Sequence, residues 1–133
     1  MPSGSTPTPH GQLVRAADLE LLALKSTRDG GAVRYLEGGR YGLATSIFAS
    51  ESVPGSGAGT HSHPYAEVFV LHEGTGRFAV DDAEIDAEAG DVVIVQAGAW
   101  HSFTNSGPAL LRLTAIHEAP IFSRVLPPKP DER

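Results

Sequence analysis

The chain has 133 residues, a formal net charge of −6 at pH 7 and no cysteine. This length supports one domain with a single core, and an acidic chain with only ten Lys and Arg residues is a poor candidate for nucleic-acid binding. The lack of thiols excludes disulfides and thiolate ligands. No apolar run approaches the roughly 20 residues of a membrane span, and the N-terminal segment lacks the pattern of a secretory signal, so we expect a cytoplasmic protein.

Fifteen glycines and ten prolines are spread along the chain and separate short apolar segments. Residues 16–25 are ambiguous, because they could also form one or two helical turns. The number and spacing of the segments predict an all-β sandwich or barrel. The predicted strands are 13–17, 33–36, 41–50, 66–73, 76–80, 84–87, 91–95, 101–105 and 110–117.

The two ends of the chain differ in composition from the middle. Residues 1–12 are rich in Pro, Ser and Thr, and the chain ends in the polar sequence "PPKPDER". We therefore predict a flexible N-terminal tail over residues 1–12, one barrel domain over residues 13–122 and a C-terminal tail over residues 123–133.

The stretch "HSHPYAE" contains three polar residues that can converge. His61 and His63 share a face if the chain is extended there, because strand side chains alternate. Glu67 opens the strand "EVFVL" and shares a face with Phe69 and Leu71, which directs its carboxylate into an apolar space. A buried carboxylate is costly unless it is paired or coordinated, and two imidazoles with a metal ion would compensate for that cost.

A second segment, "GDVVIVQAGAWHSFTNSG", places His101 at the start of a strand, with Phe103 and Asn105 on the same face. If this strand neighbours the first one, His101 supplies a third imidazole. Three imidazoles and one carboxylate suit Fe, Mn, Ni, Co or Zn better than Ca or Mg. Four protein ligands on a six-coordinate ion leave two positions for a substrate oxygen or dioxygen.

These two segments resemble the paired motifs of the cupins. The first motif is Gly, five residues, His-x-His, three or four residues, Glu, six residues, Gly, and it is filled by Gly55, His61, His63, Glu67 and Gly74. The second is Gly, five residues, Pro-x-Gly, two residues, His, three residues, Asn, and it is filled by Gly90, Gly98, His101 and Asn105. Gln96 stands where proline is usual. Nine positions at fixed spacing are far more specific than a lone His-x-His.

The resemblance implies a double-stranded β-helix, which is a jelly-roll type of barrel, and usually a homodimer. It also implies that a divalent transition metal binds in the barrel mouth. The alternative is a cupin that has lost its metal and keeps the barrel as a scaffold, which the intact ligand set disfavours. The implied metal ligands are His61, His63, Glu67 and His101.

Several further residues are candidates for catalysis or for the substrate pocket. His117 lies an even number of residues from the apolar residues of its strand and so shares their face. It is either a core histidine or an acid–base group. Tyr65, in the turn after His63, either packs there or meets the substrate. Together with Glu67 these two are the catalytic candidates. The expected pocket residues are Phe69, Phe78 and Phe103, with plain core packing as the alternative.

The fold does not choose the reaction. An aromatic, apolar pocket suits an aromatic or diketone-like substrate better than a sugar. The leading hypothesis is therefore a dioxygenase-type oxidoreductase acting on a small organic molecule. A non-redox metal-dependent isomerase, lyase or cyclase is the first alternative, and a non-catalytic cupin that binds a small ligand is the second.

Overall fold

The structure is a computed structural model that describes residues 6–7, 10–22 and 31–128. Within these residues the helical segments are two 3-10 turns, Ala16–Asp18 and Gly38–Tyr41, and no helix has the length and hydropathy of a membrane span. The all-β prediction is confirmed. The strands are β1 Thr6–Pro7, β2 Gln12–Leu13, β3 Glu20–Leu22, β4 Gly31–Leu36, β5 Ser46–Ser52, β6 Gly57–His61, β7 Glu67–Glu73, β8 Thr75–Val80, β9 Ala83–Glu88, β10 Val92–Val95, β11 His101–Asn105 and β12 Leu111–His117.

The strands form two large antiparallel sheets and one small ribbon. The first sheet has six strands in the order β10-β7-β12-β5-β4-β3, and the second has four in the order β6-β11-β8-β9. Strands β1 and β2 pair with each other as a separate ribbon. The chain passes from the four-stranded to the six-stranded sheet between β6 and β7, where the "HSHPYAE" sequence lies.

One core fills the space between the inner faces of the two large sheets. Strand β5 alternates strictly between buried and exposed residues, and β12 buries every second residue in the same way. This alternation follows from the two-residue period of a strand with one face on the core. The buried apolar residues are Val33, Tyr35, Phe48, Phe69, Leu71, Phe78, Ala87, Val93, Val95, Phe103, Leu111, Leu113 and Ala115.

The motif glycines sit where the backbone needs a positive φ. Gly55, Gly74, Gly90 and Gly98 have φ between 81° and 95°, a region that L side chains rarely adopt. Gly74 is also crowded, because a Cβ atom there would overlap the carbonyl oxygen of Leu110. A Cβ at Gly90 would meet nothing within 4 Å. Of these two turns, the one at Gly74 therefore has the stronger requirement for glycine.

The structure differs from the sequence-based prediction in four segments. Of the predicted strand 13–17 only Leu13 is in a strand, and the predicted strand 41–50 begins only at Ser46, after the 3-10 turn Gly38–Tyr41. Residues 57–61 form β6, although the glycine-rich sequence there is typical of a turn. Residues 16–25 were expected to be strand or helix. They contain a short 3-10 turn followed by β3, and residues 23–25 lie outside the described part.

The predicted tails contain ordered contacts where the structure describes them. Gln12 pairs with Pro7 in the ribbon. Near the other end of the chain, Val125 forms an isolated antiparallel bridge with Ser62 of the barrel. The predicted boundary after residue 122 therefore falls within a segment that is hydrogen-bonded to the domain.

The outer face of the six-stranded sheet carries an apolar row that crosses five strands. In register, Ile94 pairs with Val68, Val68 with Ile116, Ile116 with Ile47, and Ile47 with Leu36. Ile94 is 59% exposed and Ile47 is 40% exposed. A contiguous apolar patch of this kind on a sheet face is typical of an interaction surface.

We predict that Gly74→Ala destabilises the fold more than Gly90→Ala. Both changes force an alanine into a positive-φ conformation, which costs about 1–2 kcal/mol. Gly74→Ala adds an overlap with the backbone near Leu110, which typically costs a further 1–3 kcal/mol or so. Urea denaturation of both variants beside the parent measures the difference, and equal losses would contradict the crowding argument.

Candidate metal centre

Two cross-strand pairs bring the polar residues together at one end of the barrel. His101 of β11 lies opposite His61 of β6 in the four-stranded sheet. His117 of β12 lies opposite Glu67 of β7 in the six-stranded sheet. His63 sits in the segment that crosses from one sheet to the other. All five side chains are buried.

The carboxylate of Glu67 is at the centre of this cluster. Its Oε1 lies 3.1 Å from Nε2 of His63 and 3.1 Å from Nε2 of His101. Its Oε2 lies 3.0 Å from Nε2 of His117. Potential ligand atoms of His61, His63, Glu67 and His101 all lie within 4.8 Å of one another, which is close enough for one ion to contact all four.

Hydrogen bonds to backbone carbonyls set the tautomer of three histidines. Nδ1 of His61 donates to the Gly59 carbonyl at 2.7 Å, and Nδ1 of His101 donates to the Ala99 carbonyl at 2.9 Å. Nδ1 of His63 donates to the Ser123 carbonyl at 2.6 Å. A carbonyl can only accept, so each Nδ1 carries the proton and each neutral ring keeps a lone pair on Nε2.

The resulting donor set fits a divalent transition metal. While the three rings are neutral, their Nε2 atoms and the carboxylate oxygen are all electron-rich, and none can donate a hydrogen bond to another. Nε2 of His101 can donate across its 3.1 Å contact with Oε1 of Glu67 only if the ring takes up a second proton. Nε2 of His63 is buried and has no hydrogen-bond partner in the described part of the chain. A cation would accept the lone pairs of all four ligand atoms at once. His61, His63, Glu67 and His101 could therefore hold a metal ion of the kind that imidazole and carboxylate favour together.

His117 has the opposite hydrogen-bond pattern. Its Nδ1 lies 2.7 Å from the Tyr65 hydroxyl, and burial lowers its pKa despite the contact with Glu67. A neutral His117 satisfies both contacts when Nδ1 accepts from Tyr65 and Nε2–H donates to Oε2 of Glu67. We assign this tautomer from the network. His117 thus holds the outer oxygen of Glu67 and leaves Oε1 facing the three other imidazoles.

Burial and the Glu67 charge control the protonation of the site in the absence of metal. Burial lowers the pKa of His61 to about 4, against the Gly59 hydrogen bond, so the ring is neutral at pH 7. Burial alone would raise the pKa of Glu67, but contacts with His101, His117 and His63 outweigh it and hold that pKa far below its usual range. Burial also opposes charge on His101, yet its contact with Glu67 raises its pKa overall.

A segment near the C-terminus completes the site. Residues 120–125, which we call the C-terminal strap, pair with the crossing segment through two hydrogen bonds between Ser62 and Val125. The Ser123 carbonyl accepts from His63 and lies 3.0 Å from the Tyr65 hydroxyl. Burial raises the pKa of Tyr65 to about 12, so its hydroxyl stays protonated and can donate. The strap therefore orients one ligand of the candidate metal site from 60 residues away.

A largely apolar cavity opens next to the polar cluster. It contains about 570 Å³ of open space, part of it continuous with solvent, and His61, Glu67 and His117 contribute to its wall. The apolar part of the wall is formed by Val33, Phe48, Phe69, Phe103, Leu113 and Phe122.

The structure places the predicted site residues at different depths. Phe69 and Phe103 line the cavity, whereas Phe78 is fully buried behind them, with ring centroids 5.0 and 5.6 Å away. Tyr65 contacts His117 and His63 but is not part of the cavity wall. Several wall residues are absent from the prediction, and two of them, Phe122 and Arg124, belong to the C-terminal strap.

Comparison with known proteins identifies the family. The family model described as a cupin domain matches residues 50–117, just over half of the chain. The chain is a cupin. The match covers β6 to β12 and so includes the four candidate ligands and both glycine-bounded motifs. No curated protein matches this cupin in sequence.

Solved structures support the same fold. A Bacillus subtilis oxalate decarboxylase studied for its Mn(II) centres is 20% identical, with a TM-score of 0.74, over 90% of this chain and 34% of the other. The formate complex of a Lactobacillus farciminis oxalate decarboxylase is 23% identical, with a TM-score of 0.74, over 93% and 37%. A Rhodospirillum rubrum cupin-2 domain protein is 23% identical, with a TM-score of 0.72, over 94% and 86%. This cupin therefore spans about a third of either decarboxylase.

We predict that the imidazoles and the carboxylate contribute differently to metal binding. His63→Ala should weaken metal affinity by roughly 100-fold or more. Mutation of residues that only hydrogen-bond to a ligand already lowers metal affinity by about 10–100-fold. Glu67→Gln keeps an oxygen donor but removes the charge, so it should retain more metal than His63→Ala. Elemental analysis and melting temperature of each purified variant measure both effects.

His72→Ala is the matched control for His63→Ala. His72 is exposed and its Nε2 contacts only the Thr114 hydroxyl, at 2.8 Å, among the described hydrogen bonds. The control should keep the metal content of the parent. Full metal occupancy in His63→Ala, or equal loss in His72→Ala, would contradict the converging-ligand interpretation.

Proposed function

We propose that this cupin is a metal-dependent enzyme that acts on a small organic molecule, with dioxygenase-type oxidation as the leading reaction. One observation carries the proposal: three unprotonated Nε2 atoms and a carboxylate oxygen converge beside an apolar cavity that opens to solvent. A bound divalent transition metal would supply a Lewis acid and, if redox-active, a centre for electron transfer to dioxygen.

The residues of the chain supply binding, orientation and exclusion of water. The aromatic wall formed by Phe48, Phe69 and Phe103 removes water from an apolar substrate and places it beside His61 and Glu67. This wall fits a substrate with an apolar body better than it fits oxalate, the small dianion for which two of the similar structures are named. His117 keeps the outer oxygen of Glu67 in place while the substrate binds.

A second candidate, a non-redox isomerase, lyase or cyclase, is favoured by a separate observation. His117 lines the cavity, and its Nδ1 contacts a hydroxyl whose proton can move with the imidazole tautomer. Because Nε2 of His117 contacts Oε2 of Glu67 at 3.0 Å, such a pair can pass a proton to or from Glu67, which would act as the acid or base toward a carbonyl substrate. In that reaction Glu67, Tyr65 and His117 would form the catalytic group.

Metal loading and oxygen dependence distinguish the candidates. The protein is loaded with Fe(II) or Zn(II) and incubated with 2,4-pentanedione or catechol, the simplest diketone and diphenol probes. Oxygen uptake by the iron form alone, lost in His63→Ala, supports oxidation. Turnover by the zinc form under nitrogen, reduced in Tyr65→Phe, supports the second candidate. If the protein is purified without metal and binds neither ion, both candidate reactions are contradicted. The remaining hypothesis is then a non-catalytic cupin that binds a small ligand.

We also propose that a second copy of the chain covers the apolar row on the outer sheet face, which would form the homodimer that the cupin resemblance implies. The row is apolar across five strands, so two copies related by a two-fold axis can bury it against itself. A cytoplasmic location stays a prediction of the sequence.

Ile94→Asp tests the dimer. A charge placed on the most exposed residue of this apolar row should convert the dimer to a monomer in analytical ultracentrifugation at micromolar concentration. Ile121→Asp is the matched control, because Ile121 is 61% exposed and lies on the strap rather than on the row. A monomeric parent, or a dimer that survives Ile94→Asp, would contradict the proposal.

A further inference from the structure

The C-terminal strap directs two side chains toward the cavity. Along the strap, Ile121, Ser123 and Val125 are exposed, whereas Phe122 and Arg124 are half-buried and line the cavity wall. The alternation follows from an extended backbone, which the hydrogen-bonded bridge between Ser62 and Val125 holds in place. The direction of Arg124 is therefore set by the barrel to which the strap is bound.

Arg124 brings a positive charge to a cavity wall that is mostly apolar; its other polar residues are Ser50, Ser52, His61, Glu67 and His117. Among the described residues that line it, Arg124 is the one with a permanent positive charge, and the apolar rings of Phe48, Phe103 and Phe122 share the same wall. A guanidinium presents five N–H donors in a planar fork that matches a carboxylate, so it can keep other contacts while it binds an anion. Low polarity around the pair strengthens such a hydrogen bond.

We infer that Arg124 selects the substrate: the cavity binds a small monocarboxylate whose apolar body lies against the aromatic wall and whose carboxylate pairs with the Arg124 guanidinium. The inference adds a substrate class to the proposed function. It rests on that function only for which end of the substrate reacts. Arg124 acts here as a specificity-determining residue. Recognition of the anion by Arg124 does not itself require the metal.

Paired ligands test the inference by binding rather than by turnover. Acetate, benzoate and phenylacetate are titrated by calorimetry beside their neutral amides, acetamide, benzamide and phenylacetamide, into protein as purified and after zinc loading. The parent should bind at least one carboxylate more tightly than its amide. Arg124→Gln should weaken the binding of that carboxylate by roughly 10- to 100-fold and leave the affinity for the amide unchanged. Arg124→Lys should retain part of the preference.

Arg112→Gln is the matched control, because Arg112 is an exposed arginine paired with Glu51 and Glu73 on the outer face. It should bind every ligand as the parent does. The inference is overturned if no carboxylate is preferred over its amide, if Arg124→Gln leaves the preference intact, or if it weakens acid and amide equally. A protein that binds no metal even after zinc loading, yet still selects carboxylates through Arg124, would contradict the proposed function and leave this inference standing.

Discussion

Four electron-rich atoms share one buried space, and that crowding is the constraint around which this cupin is organised. The carbonyls of Gly59, Ala99 and Ser123 hold the proton of each imidazole on Nδ1, so the lone pairs of three Nε2 atoms face a carboxylate. Without a cation, only protons can relieve this arrangement, and the raised pKa of His101 beside Glu67 reflects that relief. A divalent ion satisfies all four donors, which is why the site is best understood as a metal centre.

The barrel provides this geometry through strand register. His61 and His101 are opposite each other in one sheet, and Glu67 and His117 are opposite each other in the other. His63 completes the set from the crossing segment, where the strap fixes its ring. The tautomers divide the five residues into two roles: four have a donor atom free for a metal, and His117 orients the carboxylate. The same strap walls the cavity with Phe122 and Arg124, so ligand orientation and substrate contact depend on one short segment.

Much of this could be predicted from the sequence, because a strand period of two and fixed motif spacing carry the information. His61, His63, Glu67 and His101 follow from those rules. Strand β6 was missed because Gly57 and Gly59 have low strand propensity. The structure explains Gly57, since a Cβ there would overlap the Phe103 carbonyl. The alternation of faces along the strand predicts that His117 lies on the inner face. It cannot show that Glu67 lies opposite, because that depends on the register between the two strands.

The strap could not be predicted, because its contacts join residues about 60 positions apart and its composition matches that of a tail. Nothing local in the sequence around Ser123 indicates that its carbonyl orients a histidine. The family match also ends before the strap, at residue 117. Phe122 and Arg124 of the strap lie outside the family match and complete a cavity wall that the motif strands otherwise form, and fold similarity alone does not assign a substrate to it.

Anomalous diffraction from crystals of protein purified without added metal tests the central claim most directly. X-ray fluorescence identifies the element. Data collected on either side of its absorption edge then locate the ion. The account predicts one peak per chain, about 2.0–2.2 Å from Nε2 of His61, His63 and His101 and from Oε1 of Glu67. His117 should be outside the coordination sphere and bonded to Oε2. No peak at this position after metal loading, or a peak coordinated by His117 in place of one of the four, would contradict the account.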